Sequence, residues 1–371
     1  MNESEFDVAI IGGGVIGTMT ALSLSEKGLR VVVLEKNEKL ANEASRAGGG
    51  IISPLHPWRY SEAMLDLASW SHQRFSAISH ELSCLTGIDV PVRKTGMLVP
   101  NTLEAEAALK CSFLRSRVLS PTEVFDVEPG IANRTESVFV EDVHNIRNPA
   151  LCRALPIAAQ KKGIHLKTNF KIHSATKQSD AFVLSSGNEH VLANKVVICA
   201  GAWSSNVIAL FDDAELNVGR QSFSSMAPEI FPVKGQMLAF KAKPGVLRTV
   251  VLEQNRYLIP RHDGIVVVGS TVEDAEFDQE TTDDAFQELK TFAQTMLPAL
   301  KKYPIVSHWA GLRPGSHRDK PIICAVEQLE GLYLNVGHFR NGLLSAPASA
   351  QVLLDVMFNQ TSDFHLESYS I

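Results

Sequence analysis

The chain has 371 residues, of which 45% are hydrophobic and 20% are charged. This profile is typical of a soluble globular protein with a large core, and the length suggests about two domains. The 35 basic and 41 acidic residues give a net charge of −6, which argues against a nucleic-acid-binding surface, and the five cysteines show neither metal-ligand nor disulfide-framework spacing.

The first residues and the apolar runs of the chain indicate where the protein resides. The segment 1–5 is acidic and leads straight into a strand, unlike a signal peptide. No apolar run reaches the roughly 20 residues that span a bilayer. We therefore expect a cytoplasmic protein without a transmembrane segment, and contact with the inner face of a membrane stays open.

The chain opens with a strand, a glycine turn, a helix and a second strand. The β-branched run at 8–11 predicts a parallel strand that is buried on both faces. The turn at 12–17 reads Gly-x-Gly-x-x-Gly, and an apolar helical stretch leads to a second strand at 31–35. In this complete context the glycine pattern is typical of a dinucleotide-binding unit.

Each position of this unit has a predicted role. Gly12 and Gly14 would let the backbone approach a pyrophosphate, and Gly17 would let the helix pack close to the first strand. The helix N-terminus offers N–H groups to the phosphates. Glu35 ends the second strand, where its carboxylate can accept both ribose hydroxyls, so FAD or NAD is favoured over NADP.

The segment 44–53 follows a polar loop. Ser45 and Arg46 lie where a helix could begin, and the glycines at 48–50 can lie against a flat group. Since apolar residues surround these glycines, an ordered cofactor contact is favoured over a flexible loop. A long helix is predicted over 61–85.

The middle of the chain returns to the first sheet after an insertion. Strands are predicted at 90–100 and 137–143, with two helices between them. A helix over 148–162 has Asn148 as its expected cap and Pro149 as its first helical residue. Strands at 164–170 and 195–200 then follow, with a small β-meander between them, and the second ends in a turn at Gly201. The nucleotide domain is therefore expected to be discontinuous.

The second half is richer in strands. Runs at 233–240, 249–252, 257–260 and 265–269 suggest an antiparallel or mixed sheet, which would be a second domain. A helix is expected over 283–297, and strands are expected at 305–309, 322–323 and 332–336. A glycine turn at 337–342 leads into a last helix that ends near Phe358.

Four segments resemble the D-amino-acid oxidase superfamily of FAD-dependent oxidoreductases. They are Val-Lys-Gly-Gln at 233–236, Tyr-Leu-Ile-Pro-Arg at 257–261, Trp-Ala-Gly-Leu-Arg-Pro-Gly at 309–315 and Gly-His-Phe-Arg-Asn-Gly-Leu-Leu at 337–344. Within this superfamily the sequence is most similar to the glycine oxidases, over essentially the whole chain. The resemblance implies an α/β (α+β overall) fold. A Rossmann-like FAD-binding domain would comprise 1–85, 145–215 and 309–371, and a discontinuous, mainly antiparallel substrate-binding sheet domain would comprise 86–144 and 216–308.

The resemblance also implies roles for individual residues. Arg313 should grip a substrate carboxylate, and Tyr257 should reach the same carboxylate with its hydroxyl. The helix after Asn341 should present its N-terminus to the flavin and stabilise negative charge on the reduced ring. Arg340 would line the pocket or neutralise the flavin, and for His338 a structural role and a catalytic one stay open.

The residues expected to contact FAD come from the glycine-rich turns and the ends of strands and helices. They are Gly12, Gly14, Val15, Ile16, Gly17, Glu35, Lys36, Ser45, Arg46, Gly49, Gly50, Gly201, Trp203, Gly311, His338, Arg340, Asn341, Gly342 and Leu343. The sarcosine oxidases attach flavin through a cysteine that would fall between Arg313 and Asp319, and this chain has none there. Non-covalent FAD is therefore expected, and no metal is.

Two departures from the glycine oxidases affect the expected substrate. Ile51 and Val272 stand where that group commonly has methionine, and both positions should touch the substrate side chain. Glycine itself is therefore in doubt, and a substrate with an apolar side chain or an N-alkyl group is expected to be better.

The resulting hypothesis is FAD-dependent oxidation of a small amino acid that is glycine-like, an N-alkyl glycine or D-configured. Hydride would pass from the α carbon to flavin N5, the imine would hydrolyse, and the electron acceptor would be O2 or a quinone. The alternative is a dehydrogenase of D-amino acids or 2-hydroxy acids that passes electrons to a quinone or a protein. A tRNA-modifying relative is disfavoured by the negative net charge, a non-enzymatic flavin-binding subunit is the remaining alternative, and assembly into a homo-oligomer stays open.

Overall fold

The computed structural model describes residues 5–178, 180–212 and 229–371, which form three β-sheets and the helices that cover them. The strands are β1 Phe6–Ile11, β2 Val31–Leu34, β3 Ile51–Ile52, β4 Val92–Lys94, β5 Met97–Val99, β6 Ser116–Leu119, β7 Ser137–Val140, β8 His144–Ile146, β9 His165–Lys167, β10 Ser174–Gln178, β11 Ala181–Ser186, β12 Glu189–Ile198, β13 Phe231–Lys241, β14 Val250–Glu253, β15 Arg256–Pro260, β16 Ile265–Gly269, β17 Ile305–Gly315, β18 Ile322–Ala325 and β19 Leu332–Val336. The α-helices are α1 Val15–Ser25, α2 Ala44–Ala47, α3 Glu62–Thr86, α4 Ala105–Lys110, α5 Pro121–Val127, α6 Asn148–Lys161, α7 Ser204–Ala209, α8 Asp283–Met296 and α9 Gly342–Phe358.

The first sheet has a parallel centre built from distant parts of the chain. Strands β19, β12, β1, β2 and β9 lie side by side in that order and run in one direction. The hairpin β10–β11 pairs with the first half of β12, and β18 closes the edge beside β19. The predicted Rossmann-like unit with later strands returning to it is therefore confirmed.

Separate hydrophobic cores cover the two faces of this sheet. Val8 and Ile10 pack towards α1, α3, α6 and α9, whereas Ala9 and Ile11 pack on the opposite side. Successive strand residues point to opposite faces, so the uninterrupted apolar run of β1 is buried throughout. This burial on both faces fixes the strand ends from which the candidate site is built.

The second sheet is mainly antiparallel, as predicted. Its order is β17-β13-β16-β15-β14-β5-β7-β6, and only β14 and β5 pair in parallel. Leu258 and Val268 pack on the side of α8, whereas Met237, Tyr257 and Ile259 belong to the core on the opposite face. That opposite face looks towards the first sheet and forms part of the candidate site.

The division into two domains at the expected residues stays a prediction. Strand β17 pairs with β13 along its whole length and belongs to the second sheet, so the expected boundary at 309 falls inside a strand. The expected boundary between 215 and 216 lies outside the described residues, as does the segment 1–4. A small three-stranded sheet has the order β3-β8-β4.

Among the described helices, none is both long and apolar enough to cross a membrane.

Candidate active site

An elongated cleft lies where the parallel strands of the first sheet end and the second sheet begins. One part, of about 170 Å³, contains Arg313 and Tyr257, and the other, of about 420 Å³, contains Glu35. We call them the Arg313 part and the Glu35 part. Gly14 and Ser45 line both parts, so the two parts lie next to each other. Such a crevice beyond the carboxyl ends of parallel strands is where α/β proteins bind their ligands.

The opening glycine turn has no room for side chains. A Cβ on Gly12, whose φ is +109°, would lie 2.4 Å from the carbonyl oxygen of Cys199. A Cβ on Gly17 would lie 2.0 Å from the carbonyl oxygen of Gly12, so Gly17 serves the close packing of α1 on β1 rather than lining the cleft. The first residue of α1, Val15, donates its N–H to Ser45 Oγ over 2.9 Å. The positive end of α1 therefore faces the cleft.

Glu35 holds its carboxylate at the far end of the Glu35 part. Its Oε2 accepts the N–H of Gly13 and its Oε1 accepts the N–H of Asn37, both over 2.9 Å. Burial raises the pKa of the Glu35 carboxyl, and these two hydrogen bonds oppose that shift. Beside it, Lys36 Nζ lies 3.0 Å from the ring centroid of Trp203, and both residues line the same part.

The segment 44–50 crosses the cleft as an ordered loop, because other elements bind its backbone. Asn148 Nδ2 donates to the carbonyl of Ser45 over 2.9 Å, and Trp309 Nε1 donates to the carbonyl of Ala47 over 3.0 Å. Asn148 was expected to cap its helix. It is instead the first residue of α6 and makes no cap hydrogen bond, because its side chain is directed to the loop.

Arg261 also binds this loop, a role that was not predicted for it. Its Nη2 donates to the carbonyl of Gly49 over 2.7 Å. Its Nη1 donates to Asn145 Oδ1 and to the carbonyl of Ile146, each over 2.8 Å. Burial lowers the pKa of the Arg261 guanidinium to about 10. An arginine directly after an apolar strand was the available signal, because such a cation must find buried acceptors.

Arg46 lies away from both parts of the cleft, contrary to the expectation of a cofactor contact. It is exposed, and its Nη1 donates to Asn42 Oδ1 over 3.3 Å. Ser45 and Arg46 are neighbours in α2, and successive residues of a helix are rotated by about 100° around its axis. Ser45 therefore faces the cleft while Arg46 faces a second cavity.

The Arg313 guanidinium is held by neutral acceptors. Nη2 donates to Ser270 Oγ over 2.6 Å and to the carbonyl of Thr271 over 3.3 Å, and Nη1 donates to the carbonyl of Lys234 over 3.3 Å. Burial lowers the pKa of Arg313, while the adjacent Tyr257 opposes the shift. Across the described part of the chain, no carboxylate forms an ion pair with Arg313. Hydrogen bonds to neutral groups thus hold the Arg313 guanidinium in a fixed position.

The sequence around Arg313 is adapted to receive the guanidinium. A Cβ on Gly235 would lie 2.1 Å from Nη2, so the position needs glycine. The buried Lys234 Nζ pairs with Asp278, and Gln236 Nε2 donates to Glu273 Oε1 over 3.0 Å. These contacts hold the Lys-Gly-Gln backbone against β17 and leave Arg313 little freedom to move.

The imidazole of His338 is buried and hydrogen-bonded. Its Nδ1 lies 2.9 Å from Ser345 Oγ and its Nε2 lies 2.8 Å from Asn335 Oδ1, so both ring nitrogens are used. Burial lowers the pKa of His338 to about 3, which makes the imidazole neutral at physiological pH. His338 lines the Arg313 part of the cleft.

The turn after His338 brings the start of α9 to the same cavity. Arg340, Asn341, Gly342 and Leu343 all line the Arg313 part. Asn341 precedes the first residue of α9, so free N–H groups of the helix face the cavity there. The Arg340 guanidinium lies 5.6 Å from the ring centroid of Phe339.

The remaining predicted residues divide into two groups. Ile51 lines the Arg313 part, and the other expected residues that line it are Ile16, Gly49, Gly50, Gly201 and Gly311. Val272 lies outside it, with 50% of its surface exposed, although its neighbours Thr271 and Glu273 still pair with the backbone of β13 at Gln236 and Lys234. Met237 and Ser270 line the cavity in addition, although the sequence did not single them out.

The donor set of the cleft fits a dinucleotide cofactor. A helix N-terminus and a side-chain-free turn lie at its middle, where a pyrophosphate would need N–H donors and space. A carboxylate at one end can accept ribose hydroxyls. The Arg313 part at the other end is lined by apolar and polar residues and by the start of α9, and this lining suits a planar ring system.

Comparisons with known proteins agree with this geometry. A family model described as DAO, FAD dependent oxidoreductase, matches residues 7–356. Glycine oxidases of Pseudomonas aeruginosa and Pseudomonas putida are each 37% identical over 94% of this chain and 94% of their own length. The crystal structure of glycine oxidase from Geobacillus kaustophilus is similar with a TM-score of 0.90 and 25% identity, over 99% of this chain and 98% of that one.

Proposed function

Because this chain belongs to the DAO family of FAD-dependent oxidoreductases, it is an enzyme whose cofactor is FAD, and we propose that it oxidises a small amino acid at its α carbon. Its glycine oxidase relatives support FAD-dependent oxidation of an amino acid as the general activity. We further propose the class of substrate, the roles of individual residues and the electron acceptor.

The observation that carries the proposal is the guanidinium of Arg313, which forms no ion pair with a carboxylate among the described residues. Its neutral acceptors fix its position but do not neutralise its charge. Burial of a cation is costly unless an anion pairs with it, so the cavity favours a ligand that brings a carboxylate. The planar fork of arginine would then orient that carboxylate with two hydrogen bonds.

The residues around Arg313 position the rest of the substrate. The Tyr257 side chain is buried beside the guanidinium and would add a hydroxyl to the carboxylate clamp. His338 is neutral and Arg340 is half-buried. Among the described residues, no aspartate or glutamate lines the Arg313 part of the cleft. No side-chain base is required in this scheme, because a neutral substrate amine is enough and the imine hydrolyses in water.

FAD, when bound, would accept the hydride from the substrate's α carbon. The chain's own residues supply the binding of this cofactor. The start of α1 and the Gly12–Gly17 turn would hold the pyrophosphate, and Glu35 would hold the ribose. The start of α9 would stabilise negative charge at the flavin ring. Acceleration then comes from orientation and exclusion of water, with no protein nucleophile.

Attachment of FAD is proposed to be non-covalent. No cysteine lies between Arg313 and Asp319, and Cys324 lies in β18, where burial raises the pKa of its thiol to about 11. Such a thiol is not reactive. Acid precipitation of the purified enzyme should leave the yellow colour in the supernatant, and colour in the pellet would contradict the proposal.

The substrate is proposed to carry an apolar side chain or an N-alkyl group. The Pseudomonas relatives are named glycine oxidases, but Ile51 replaces the methionine expected for that group at a position that lines the Arg313 part. The alternative function is a dehydrogenase of D-amino acids or 2-hydroxy acids that passes electrons to a quinone or a protein. Peroxide formation and dye reduction, measured with one substrate, would separate the two.

Steady-state kinetics of FAD-loaded Arg313 variants test the proposal. Arg313→Met should lower kcat/KM for the best amino acid by about 3–5 kcal/mol, the scale for removing one partner of a buried ion pair. Arg313→Lys should recover only part of this loss, because an ammonium cannot reproduce the fork. FAD content should be unchanged in both. Arg313→Met enzyme that stays within about threefold of the parent would remove the carboxylate clamp from the proposal.

A further inference from the structure

A second cavity of about 460 Å³ adjoins the candidate active site. Ala47 and Gly48 line both this cavity and the Arg313 part of the cleft, so the loop they form is a shared wall. Neither Arg313 nor Tyr257 lines the second cavity. It is therefore a separate space with its own chemistry.

Positive charge is concentrated in this second cavity. Arg46, Arg147 and Arg261 line it, and none of its lining residues is acidic. Arg147 pairs with Asp263 outside the lining, whereas Arg46 has the neutral Asn42 as its hydrogen-bond partner. Three guanidinium groups against one carboxylate leave an excess of two positive charges, in a chain whose net charge is −6.

The three arginine side chains differ in how far they are exposed to solvent, and this arrangement suits a bound anion. Arg261 is largely buried, and in the described part of the chain its hydrogen bonds go to neutral oxygens, with no carboxylate in direct contact. Arg46 is exposed and 38% of the Arg147 side chain is exposed, so these two lie where a ligand would enter. An anion that enters between them would remain within the field of the buried cation.

Apart from Asn42 and Ser307, the rest of the wall is mostly apolar. Trp309, Ile265 and Val267 line the cavity, and Ala239 and Ala310 add small apolar side chains. Guanidinium groups match the planar oxygens of a carboxylate, and apolar walls favour a ligand with a hydrocarbon body. We propose that this cavity binds a small organic carboxylate, as a site distinct from the substrate clamp.

Ligand binding in the second cavity should change the surroundings of the cofactor in the adjacent cleft. A ligand here would touch Ala47 and Gly48, whose opposite side lines the Arg313 part. The carbonyls of Ala47 and Gly49 are held by Trp309 and Arg261, two residues that line the second cavity. Ligand binding is therefore expected to change the visible absorption spectrum of the holoenzyme.

Calorimetric titration of the holoenzyme with benzoate tests the proposal, with benzamide as a neutral control and inorganic phosphate as an anion without an apolar body. The Arg313→Met protein should still bind benzoate, because its substrate clamp is removed and the second cavity is intact. Benzamide should not bind there, and phosphate should bind more weakly than benzoate. Loss of all benzoate binding in a folded Arg313→Met protein would overturn the second site and leave the substrate clamp unaffected.

Two substitutions at the cavity mouth should act in opposite directions. Arg147→Gln should weaken benzoate binding about tenfold, the effect of losing one hydrogen bond to a charged group. Asp263→Asn should strengthen binding, because it frees Arg147 from its competing carboxylate. If Arg313→Met does not fold, Arg147→Gln and Asp263→Asn are introduced into the parent enzyme instead. Benzoate affinity should then change at only one of the two benzoate sites.

Arg256→Gln is the matched control. Arg256 also pairs with a carboxylate, Glu288, and 36% of its side chain is exposed, but it lies outside the second cavity. Its replacement should leave both benzoate affinities unchanged. Equal losses in Arg147→Gln and Arg256→Gln would mean that benzoate responds to overall charge, and the proposal would fail.

Discussion

Arg261→Met should destabilise the protein, because Arg261 satisfies three buried acceptors at once. The three hydrogen bonds, to Asn145 Oδ1 and to the carbonyls of Ile146 and Gly49, are each worth about 2 kcal/mol when the donor is charged. Against this stands the cost of burying the cation. The fall of the Arg261 pKa from 12.5 to about 10 corresponds to ~3 kcal/mol. The net expectation is a loss of about 3 kcal/mol in the free energy of unfolding.

Urea unfolding of the apoprotein, followed by tryptophan fluorescence, measures this loss. Arg256→Met is the control, because its exposed ion pair with Glu288 should contribute less than about 1 kcal/mol. FAD affinity should also fall in Arg261→Met, since the carbonyl of Gly49 is released from its donor. Equal unfolding midpoints for the Arg261 and Arg256 variants would refute the reasoning.

Three other perturbations test the remaining site residues. Glu35→Ala should weaken FAD binding by roughly 1.5–3 kcal/mol, the range for hydrogen bonds to a charged group, and an unchanged flavin dissociation constant would exclude a ribose contact. The pKa of His338 is lowered from 6.5 to about 3, so the unfolded state binds a proton first, and stability should fall as pH drops from 6.5 towards 3. Urea midpoints at pH 7 and pH 5 should therefore differ more in the parent than in His338→Gln. Ile51→Met should raise relative activity towards glycine, whereas Val272→Met, at an exposed position, should not, and glycine as the parent's best substrate in a broad panel would contradict the predicted preference.

The parts of the fold that the sequence predicts best are those with local causes. The β1–turn–α1–β2 unit is specified by consecutive residues, since glycines at fixed spacing and a β-branched run leave one arrangement. The return of β12 and β19 to the same sheet was also predictable from the short apolar runs at 196–200 and 332–334.

Contacts between distant residues explain what the sequence did not predict. Arg261 is preceded by a strand like any other, and its acceptors come from residues more than a hundred positions away. Arg46 follows Ser45 directly, and Val272 lies two residues after Ser270, yet Ser45 and Ser270 line the cleft and the other two residues do not. A motif gives the identity of such residues but not the direction of their side chains.

Strand β17 sets a limit on how the site can change. Trp309 contacts the loop at Ala47, and four residues later Arg313 enters the cavity on the same face of the strand. At about 3.3 Å per residue these two anchors are roughly 13 Å apart. Insertion or deletion of one residue between them would turn Arg313 to the opposite face. Evolution of the substrate range would therefore have to proceed through elements outside β17, such as the segment from Ile51 to Leu55, while the spacing in β17 stays constant.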